Sequence, residues 1–274
     1  MNMNKKNVGI IGYGSMGKML FEKFSAYGSS FIENVFVSNR TKEKLSAVDE
    51  SKICSSNLKL AAACDVIFVC VRPADIKSVL EEIKPCINEE KILVSLNGSV
   101  SFGNIQKIID CKIAKVIPSV TAEINKSQTL ICYNPRVQPE DKTYMVKILE
   151  TIGNVIELPE EEMGMGSELV SCMPGFIASI FDVISDSAKK HTKIPEQQIV
   201  NMVLNTITST GMLMLEKNMS FKEVVERVAT KGGITQEGTA VVYSNFPETA
   251  DELFCKTLEK RRITAENAEK SFNS

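Results

Sequence analysis

The chain has 274 residues, of which 43% are hydrophobic and 24% charged, a composition typical of a globular protein with one large or two modest domains. Its 32 basic and 34 acidic residues give a formal net charge of -2, so neither a nucleic acid nor a membrane surface is expected as a partner. The apolar runs are too short to span a bilayer and Lys5 and Lys6 begin no signal peptide, so we expect a cytoplasmic protein.

Short apolar runs alternate with helical patterns through the first part of the chain. This alternation predicts β-α-β units and a mostly parallel sheet. Helices are predicted at residues 16–24 and 142–152. Strands are predicted at residues 8–11, 35–38, 65–71, 92–96, 114–117 and 129–133, with a last edge strand at 155–158.

Strand signals stop after Pro159, and the rest of the chain has helical patterns. The helix predicted at residues 196–216 is apolar on more than one face, which indicates burial, and in a small helical domain a partner subunit could supply it. We therefore predict an α/β fold with a Rossmann-like domain over residues 1–159. An all-helical domain follows over residues 160–274. Its other helices are predicted at residues 160–170, 175–190, 235–244 and 247–269.

The cysteine and histidine content limits the kinds of catalytic and metal site that the chain can form. None of the 8 cysteines forms a C-x-x-C pair, so in a cytosolic chain they are expected to be reduced core residues. His191 is the single histidine, which excludes a histidine-rich metal site and argues against a Ser-His-Asp hydrolase. No metal is expected.

A glycine motif near the N-terminus predicts a dinucleotide site. It directly follows the first predicted strand and opens the first predicted helix, which is the context that gives a G-x-G-x-x-G pattern its meaning. The glycines permit a tight turn and a close approach of the backbone to a pyrophosphate, which the helix N-terminus faces. The residues of this motif are Gly12, Tyr13, Gly14, Ser15, Met16 and Gly17.

The end of the second predicted strand bears on the choice of cofactor. NAD sites usually carry an acidic residue there, whereas this chain has Asn39, Arg40 and Thr41. Arg40 can stack on adenine and pair with a 2′-phosphate, and its neighbours can add hydrogen bonds. The loop therefore favours NADP(H) and leaves NAD(H) possible, while the plain alternative is a solvated arginine at a strand end.

A second glycine turn lies near the C-terminus, where Gly232 and Gly233 stand between Thr230 and Thr235. Successive free N–H groups at such a turn, opening a helix, can bind a small carboxylate. The alternative is an ordinary glycine-rich turn between helices. A carboxylate site together with a dinucleotide fold indicates a reductase that acts on a small acid.

These motifs, in this order and spacing, resemble the pyrroline-5-carboxylate reductase family over almost the whole chain. The resemblance implies reduction of the ring C=N of 1-pyrroline-5-carboxylate with NAD(P)H to give L-proline. It also implies a homodimer interlocked through the helical domain, with the substrate site at the dimer interface, and larger assemblies of dimers in some members. The segments that carry the resemblance are residues 12–17, 39–41, 68–73 and 228–235, with Asn57 and Pro118.

The resemblance also implies roles for single residues. The loop Asn39, Arg40 and Thr41 would hold the adenosine phosphate end of the cofactor. Thr235 would reach the imine nitrogen. Thr230, with the backbone of Gly232, Gly233 and Ile234, would bind the substrate carboxylate. The rest of the cofactor path would be lined by Asn57, Val71, Arg72, Pro73, Asn97 and Gly98.

The chain departs from the usual family pattern in the segments 117–121 and 170–175, at Thr230, where the family usually has serine, and at the residue after it. Met173 stands where the family usually has glycine, and Lys231 where it usually has proline. Both surrounding segments look more like the late-competence ComER-like branch of the family. This opens the alternative of a catalytically weak, NADP(H)-binding regulator. A related imine or β-hydroxyacid dehydrogenase is a third alternative, although such enzymes typically depend on a catalytic lysine in the helical domain.

Overall fold

A seven-stranded sheet forms the first part of the chain in the computed structural model, which describes residues 4–273 apart from the side chain of Ser29. The strand order is β2-β1-β3-β4-β5-β6-β7. The strands are β1 (Lys6–Ile11), β2 (Ile32–Ser38), β3 (Val66–Val69), β4 (Ile92–Ser95), β5 (Lys112–Ile117), β6 (Ser127–Tyr133) and β7 (Gly153–Glu157).

The sheet is mostly parallel, as the sequence predicted. All neighbouring pairs are parallel except β5 with β6, and β7 lies at an edge, as predicted. Strands β3 and β4 are buried along their whole length, which explains their uninterrupted apolar sequence. The carboxyl ends of β1, β2, β3 and β4 therefore lie at one edge of the sheet, where ligands bind in folds of this kind.

Helices cover both faces of the sheet. Successive residues of β3 point to opposite faces, so Phe68 joins a core with α1 and α5, whereas Ile67 joins a core with α2 and α3. Ala268 and Phe272, from the end of the last helix, also pack into the second core. The helices of this part are α1 (Ser15–Tyr27), α2 (Asn57–Ala63), α3 (Pro73–Ile83), α4 (Phe102–Gln106) and α5 (Pro139–Leu149).

The short helices α2, α3 and α4 were not predicted from the sequence, but their local signals are clear in the structure. Ser56 accepts a hydrogen bond from the N–H of Lys59 at the start of α2, and Ser101 caps α4 through Asn104. Pro73 occupies the first turn of α3, where its missing N–H has no cost. Single 3-10 turns occur at Gly28–Ser30, Lys42–Leu45, Glu50–Lys52, Lys84–Cys86, Val120–Ile124, Glu150–Ile152, Glu160–Glu162 and Lys189–His191.

The second part of the described chain is helical, as predicted. Its elements are α6 (Met163–Ser167), a π-helical turn (Glu168–Cys172), α7 (Met173–Ala188), α8 (Glu196–Lys217), α9 (Phe221–Val228) and α10 (Ile234–Asn273). Two helices were expected at residues 235–244 and 247–269, and this was wrong, because α10 runs through Pro247 without a break. A proline removes one hydrogen bond of the helix, and here the neighbouring turns keep the helix continuous.

The stretch Glu160–His191 is also one continuous helical run, in which the π-helical turn replaces the predicted gap. By length and composition alone it could cross a membrane, contrary to the expectation from the sequence. The reason is that helical continuity joins apolar residues that the sequence shows as separate runs. A single helix of this kind is weak evidence for a membrane span.

The chain divides into two compact units. One runs to Cys172 and includes the C-terminal segment from Leu258, and the other is Met173–Thr257. The domain division between residues 159 and 160 stays a prediction.

Candidate functional site

A cavity of about 740 Å³ opens in the first unit, where β1, β2 and β3 end. Nine of the predicted cofactor residues line it: Gly12, Tyr13, Gly14, Asn39, Arg40, Thr41, Asn57, Val71 and Arg72. The other six, Ser15, Met16, Gly17, Pro73, Asn97 and Gly98, lie outside this lining. The structure thus brings most of the predicted cofactor residues together, while their roles as cofactor contacts stay predictions.

The three glycines of the turn after β1 differ in how much space a side chain would find at each position. Gly12 has a φ of 97°, and a Cβ there would lie 2.9 Å from the carbonyl oxygen of Cys70. A Cβ on Gly17 would lie only 2.0 Å from the carbonyl oxygen of Gly12. A Cβ on Gly14 would meet nothing within 4 Å. Gly12 and Gly17 therefore allow the turn to form, whereas Gly14 leaves open space at the cavity.

Helix α1 starts directly at this open space. Gly14 is its N-cap and provides no side-chain cap, so the first N–H groups of α1 face the turn without a side-chain acceptor at that position. Backbone N–H groups at a helix start attract anions. An uncapped helix start beside a cavity is a suitable cradle for the pyrophosphate of a dinucleotide, and the residues present fit such a cofactor.

Asn39 connects the glycine turn to the loop after β2. Its Oδ1 accepts a hydrogen bond from the N–H of Tyr13 at 2.9 Å, and its Nδ2 donates to the carbonyl oxygen of Thr41 at 2.7 Å. The side chain of Asn39 is therefore used within the protein. It shapes the loop that presents Arg40 to the cavity.

Four cationic and two anionic side chains line the cavity, so its charge is positive on balance. The cations are Arg40, Lys42, Lys44 and Arg72, and the anions are Asp75 and Glu82. This balance suits the phosphates of a dinucleotide.

A chain of hydrogen bonds holds Asn57 in the cavity wall. Ser38 Oγ donates to Asn57 Oδ1 at 2.7 Å, and Asn57 Nδ2 donates to Glu82 Oε2 at 2.7 Å. Glu82 is one of the residues that sequence reasoning missed. Its position on α3 carried no motif that could have revealed the contact.

A buried lysine side chain contacts the loop after β4, which contains Asn97 and Gly98. Lys115 is buried in β5, and its Nζ pairs with Glu160 Oε1 at 2.9 Å and lies 3.4 Å from the carbonyl oxygen of Gly98. A Cβ on Gly98 would also lie 3.5 Å from Nη1 of Arg261. Lys115 and Arg261 were both missed from the sequence, although a lysine in an apolar strand was a visible signal for the first.

Arg261 belongs to a second buried cluster in the same unit. Its guanidinium donates to Glu168 Oε1 and, at 3.1 Å, to Ser167 Oγ. The other carboxylate oxygen of Glu168 is buried and has no hydrogen-bond partner among the described residues. Burial and the neighbouring Glu168 raise the pKa of the Cys172 thiol, so the structure does not make this cysteine a reactive nucleophile.

The predicted carboxylate turn lies in the second unit, between α9 and α10. Gly232 has a φ of 75°, and its N–H donates to Gln236 Oε1 at 2.6 Å. The N–H of Gly233 donates to the carbonyl oxygen of Thr230 at 2.9 Å. The turn therefore exists as predicted in shape, but two of its expected anion donors are used within the turn. Gln236, which the sequence analysis missed, holds one of them.

The residues that depart from the family pattern have simple surroundings. Met173 is the first residue of α7 and is partly exposed, and Lys231 is exposed in the carboxylate turn. Thr230, Ile234 and Thr235 are exposed as well. Among residues 4–273, no group of three or more His, Cys, Asp or Glu side chains could hold a metal ion.

The mostly parallel sheet, the glycine turn, the uncapped helix start and the basic cavity define a dinucleotide-dependent oxidoreductase of the Rossmann type. Residues 7–98 match the family described as NADP oxidoreductase coenzyme F420-dependent, and residues 160–263 match the pyrroline-5-carboxylate reductase dimerisation family. The chain belongs to the pyrroline-5-carboxylate reductase family, and the resemblance drawn from the motifs is confirmed.

The relatives include both a reductase and a member of the ComER-like branch, as the motifs predicted. Pyrroline-5-carboxylate reductase 3 of Bacillus subtilis is 31% identical, over 97% of this chain and 99% of the relative. ComE operon protein 4 of the same organism is 25% identical over the same shares. Among solved structures, the pyrroline carboxylate reductase of Plasmodium falciparum with NADP bound has a TM-score of 0.84 at 25% identity, covering 96% of this chain and 99% of that one. The predicted fold class is confirmed.

Proposed function

We propose that this protein reduces 1-pyrroline-5-carboxylate to L-proline with NADPH. The observation that carries the proposal is the match to a protein named pyrroline-5-carboxylate reductase 3 over 97% of the chain, so that both the cofactor half and the dimerisation half are present together. The basic cavity beside the glycine turn supports NADPH as the cofactor.

The first unit would hold the cofactor. When bound, NADPH supplies the hydride. The turn from Gly12 to Gly17 and the start of α1 would hold the pyrophosphate, because they combine an open backbone with the positive end of a helix. The loop of Asn39, Arg40 and Thr41 would hold the adenosine phosphate, with Arg72 beside it, because Arg40 and Arg72 contact the same carboxylate of Asp75. The loop of Asn97 and Gly98 would continue the cofactor path.

The carboxylate turn would hold the substrate. Thr230 and the backbone of Gly232, Gly233 and Ile234 would bind the carboxylate, and binding would displace the Gln236 oxygen that accepts from Gly232. Thr235 would donate a hydrogen bond to the imine nitrogen. A threonine hydroxyl is a poor acid, so the proton that enters the product would come ultimately from solvent.

The protein would act as a homodimer in the cytoplasm. Large apolar side chains are exposed along the helices of the second unit, and a second copy of the chain would bury them. This also gives the apolar stretch Glu160–His191 a role other than a membrane span. The exposed side chains include Val183, Leu204, Met212, Leu215, Phe221, Val241 and Tyr243.

Assemblies of dimers are a further part of the proposal. Light scattering after size-exclusion chromatography measures the molar mass and so distinguishes the dimer from larger assemblies.

The decisive experiment follows the oxidation of NADPH by the purified protein with 1-pyrroline-5-carboxylate, with NADH in parallel. Saturable turnover and proline as the product would support the proposal. NADPH binding without turnover would contradict it and favour the regulator. In that case Met173→Gly and Lys231→Pro, which restore the usual family residues, are the first variants to assay for a gain of activity.

A further inference from the structure

Asp75 lies in the wall of the cavity between two arginines. Its Oδ1 is 3.5 Å from Nη1 of Arg40, and its Oδ2 is 3.3 Å from Nε of Arg72. Arg72 immediately precedes α3 and Asp75 lies three residues later in its first turn, whereas Arg40 comes from the loop after β2. One carboxylate is therefore shared by both arginines that line this cavity.

The position of Asp75 is set by helix α3. Asp75, Ser78, Val79 and Glu82 all line the cavity, and their spacing places them on one face of the helix. Asp75 is only 29% exposed, whereas the side chains of Arg40 and Arg72 are 79% and 78% exposed. The carboxylate is thus the less exposed partner, and both arginine heads are open to a ligand in the cavity.

The other acidic residue of the cavity has a different partner. Glu82 Oε2 accepts a hydrogen bond from Asn57 Nδ2. Asp75 is therefore the cavity carboxylate that contacts the arginines, and its negative charge lies where a phosphate would need their positive charge.

We infer that Asp75 is a specificity-determining residue at the adenosine end of the cofactor, which competes with the 2′-phosphate for Arg40 and Arg72 and so limits the preference for NADPH over NADH. The inference rests on the proposed function. A carboxylate repels a phosphate, and in NAD sites an acidic residue accepts a hydrogen bond from the unmodified ribose hydroxyl. This chain lacks that acidic residue at the end of β2 and instead provides Asp75 from α3.

The test measures ligand binding by calorimetry, without turnover. The protein is titrated with NADPH and NADH, and with adenosine 2′,5′-bisphosphate and 5′-AMP, a smaller pair that also differs only in the 2′-phosphate. Asp75→Asn keeps the shape of the side chain and removes its charge. Glu81→Gln is the matched control, because it removes the same charge from the same helix at a residue outside the cavity lining.

Asp75→Asn is expected to bind NADPH and the bisphosphate about three- to tenfold more tightly, since it removes one repelling charge from a largely exposed cluster. Binding of NADH and 5′-AMP should not become tighter. Equal changes for ligands with and without the 2′-phosphate, no change at all, or the same change in Glu81→Gln would overturn the inference. Asp75→Ser, which keeps a polar group at the start of α3, is measured alongside so that the result does not depend on one variant.

The outcome for the inference and the outcome for the proposed function can be told apart. If the selective change appears but the wild-type protein does not reduce 1-pyrroline-5-carboxylate, the role of Asp75 stands and the proposed reaction fails. If turnover is normal and the selective change is missing, the reverse holds. A wild-type protein that binds neither NADPH nor the bisphosphate would overturn both.

Discussion

Arg261 and Glu168 are 93 residues apart in the sequence and form a buried ion pair. The Nε and Nη2 of Arg261 lie 3.1 and 2.7 Å from the same carboxylate oxygen of Glu168, which is 1% exposed. The pair joins the last part of α10 to the π-helical turn within the first unit. It also places a guanidinium next to Gly98, so this contact supports one wall of the predicted cofactor path.

Glu168→Gln should lower the free energy of unfolding by roughly 2–4 kcal/mol, because it leaves a mostly buried guanidinium without its counter-charge. Chemical denaturation of the wild-type and variant proteins measures the difference. Glu259→Gln is the control, since it breaks an exposed pair with Arg262. That variant should change the free energy by less than about 1 kcal/mol, and an equally small effect of Glu168→Gln would show that the buried pair does not stabilise the fold.

The two glycines on either side of the start of α1 should respond differently to alanine. Gly17→Ala places a Cβ against the carbonyl oxygen of Gly12, so the fold should lose roughly 2–4 kcal/mol. Gly14→Ala meets no protein atom within 4 Å and should change stability by less than about 1 kcal/mol. The same Gly14→Ala should weaken NADPH binding by about tenfold, because the new methyl group enters the space where a pyrophosphate approaches the backbone.

Thermal unfolding and NADPH titration of both variants measure these effects. Unchanged NADPH affinity in Gly14→Ala would place the pyrophosphate elsewhere than at the start of α1.

Thr235→Ala should lower kcat/KM for 1-pyrroline-5-carboxylate by roughly one to three decades, since it removes a hydrogen bond expected at the imine nitrogen. Thr235→Ser retains a hydroxyl and should recover most of the activity. NADPH affinity should be the same in both variants, because Thr235 is not among the residues that line the cavity. Full activity of the alanine variant would exclude this role for Thr235.

The protein should lose stability in alkaline solution through its buried thiols. Burial raises the pKa of the Cys64 and Cys111 thiols from 9.0 to about 12. Above pH 9 these thiols ionise in the unfolded chain and stay protonated in the fold. Their contribution is therefore fully present below pH 9 and is lost progressively as the pH rises towards about 12, by up to about 1.4 kcal/mol per pH unit for each thiol.

Chemical denaturation at pH 8 and at pH 10 measures how steeply the free energy of unfolding falls with pH. The wild-type and variant proteins share all other titrating groups, so a difference between their slopes comes from the substituted thiol. Cys64→Ala removes one titrating group, so its stability should fall less steeply over the same interval. An identical slope in the variant would mean that Cys64 is not protonated preferentially in the fold.

How far the sequence could predict the site depended on the distance between the partners along the chain. The turn from Gly12 to Gly17 was predictable because strand, turn and helix are consecutive, and the steric need for glycine is local. Gln236 lies within four residues of Gly232, yet its hydrogen bond was missed because a rotatable amide side chain has no fixed target in a sequence. Pro247 misled the prediction because its local effect suggested a helix end that the structure does not have.

The sequence by itself determined which motifs occur along the chain and in what order: a dinucleotide turn first, a basic loop next and a carboxylate turn in a helical half. Each of these depends on neighbouring residues and their backbone propensities. Only the tertiary structure decided that Arg40 meets Asp75 and that Arg261 meets Glu168. These contacts join residues 35 and 93 positions apart in the chain. They exist because packing of the helices against the sheet brings such residues together, and no local pattern encodes that proximity.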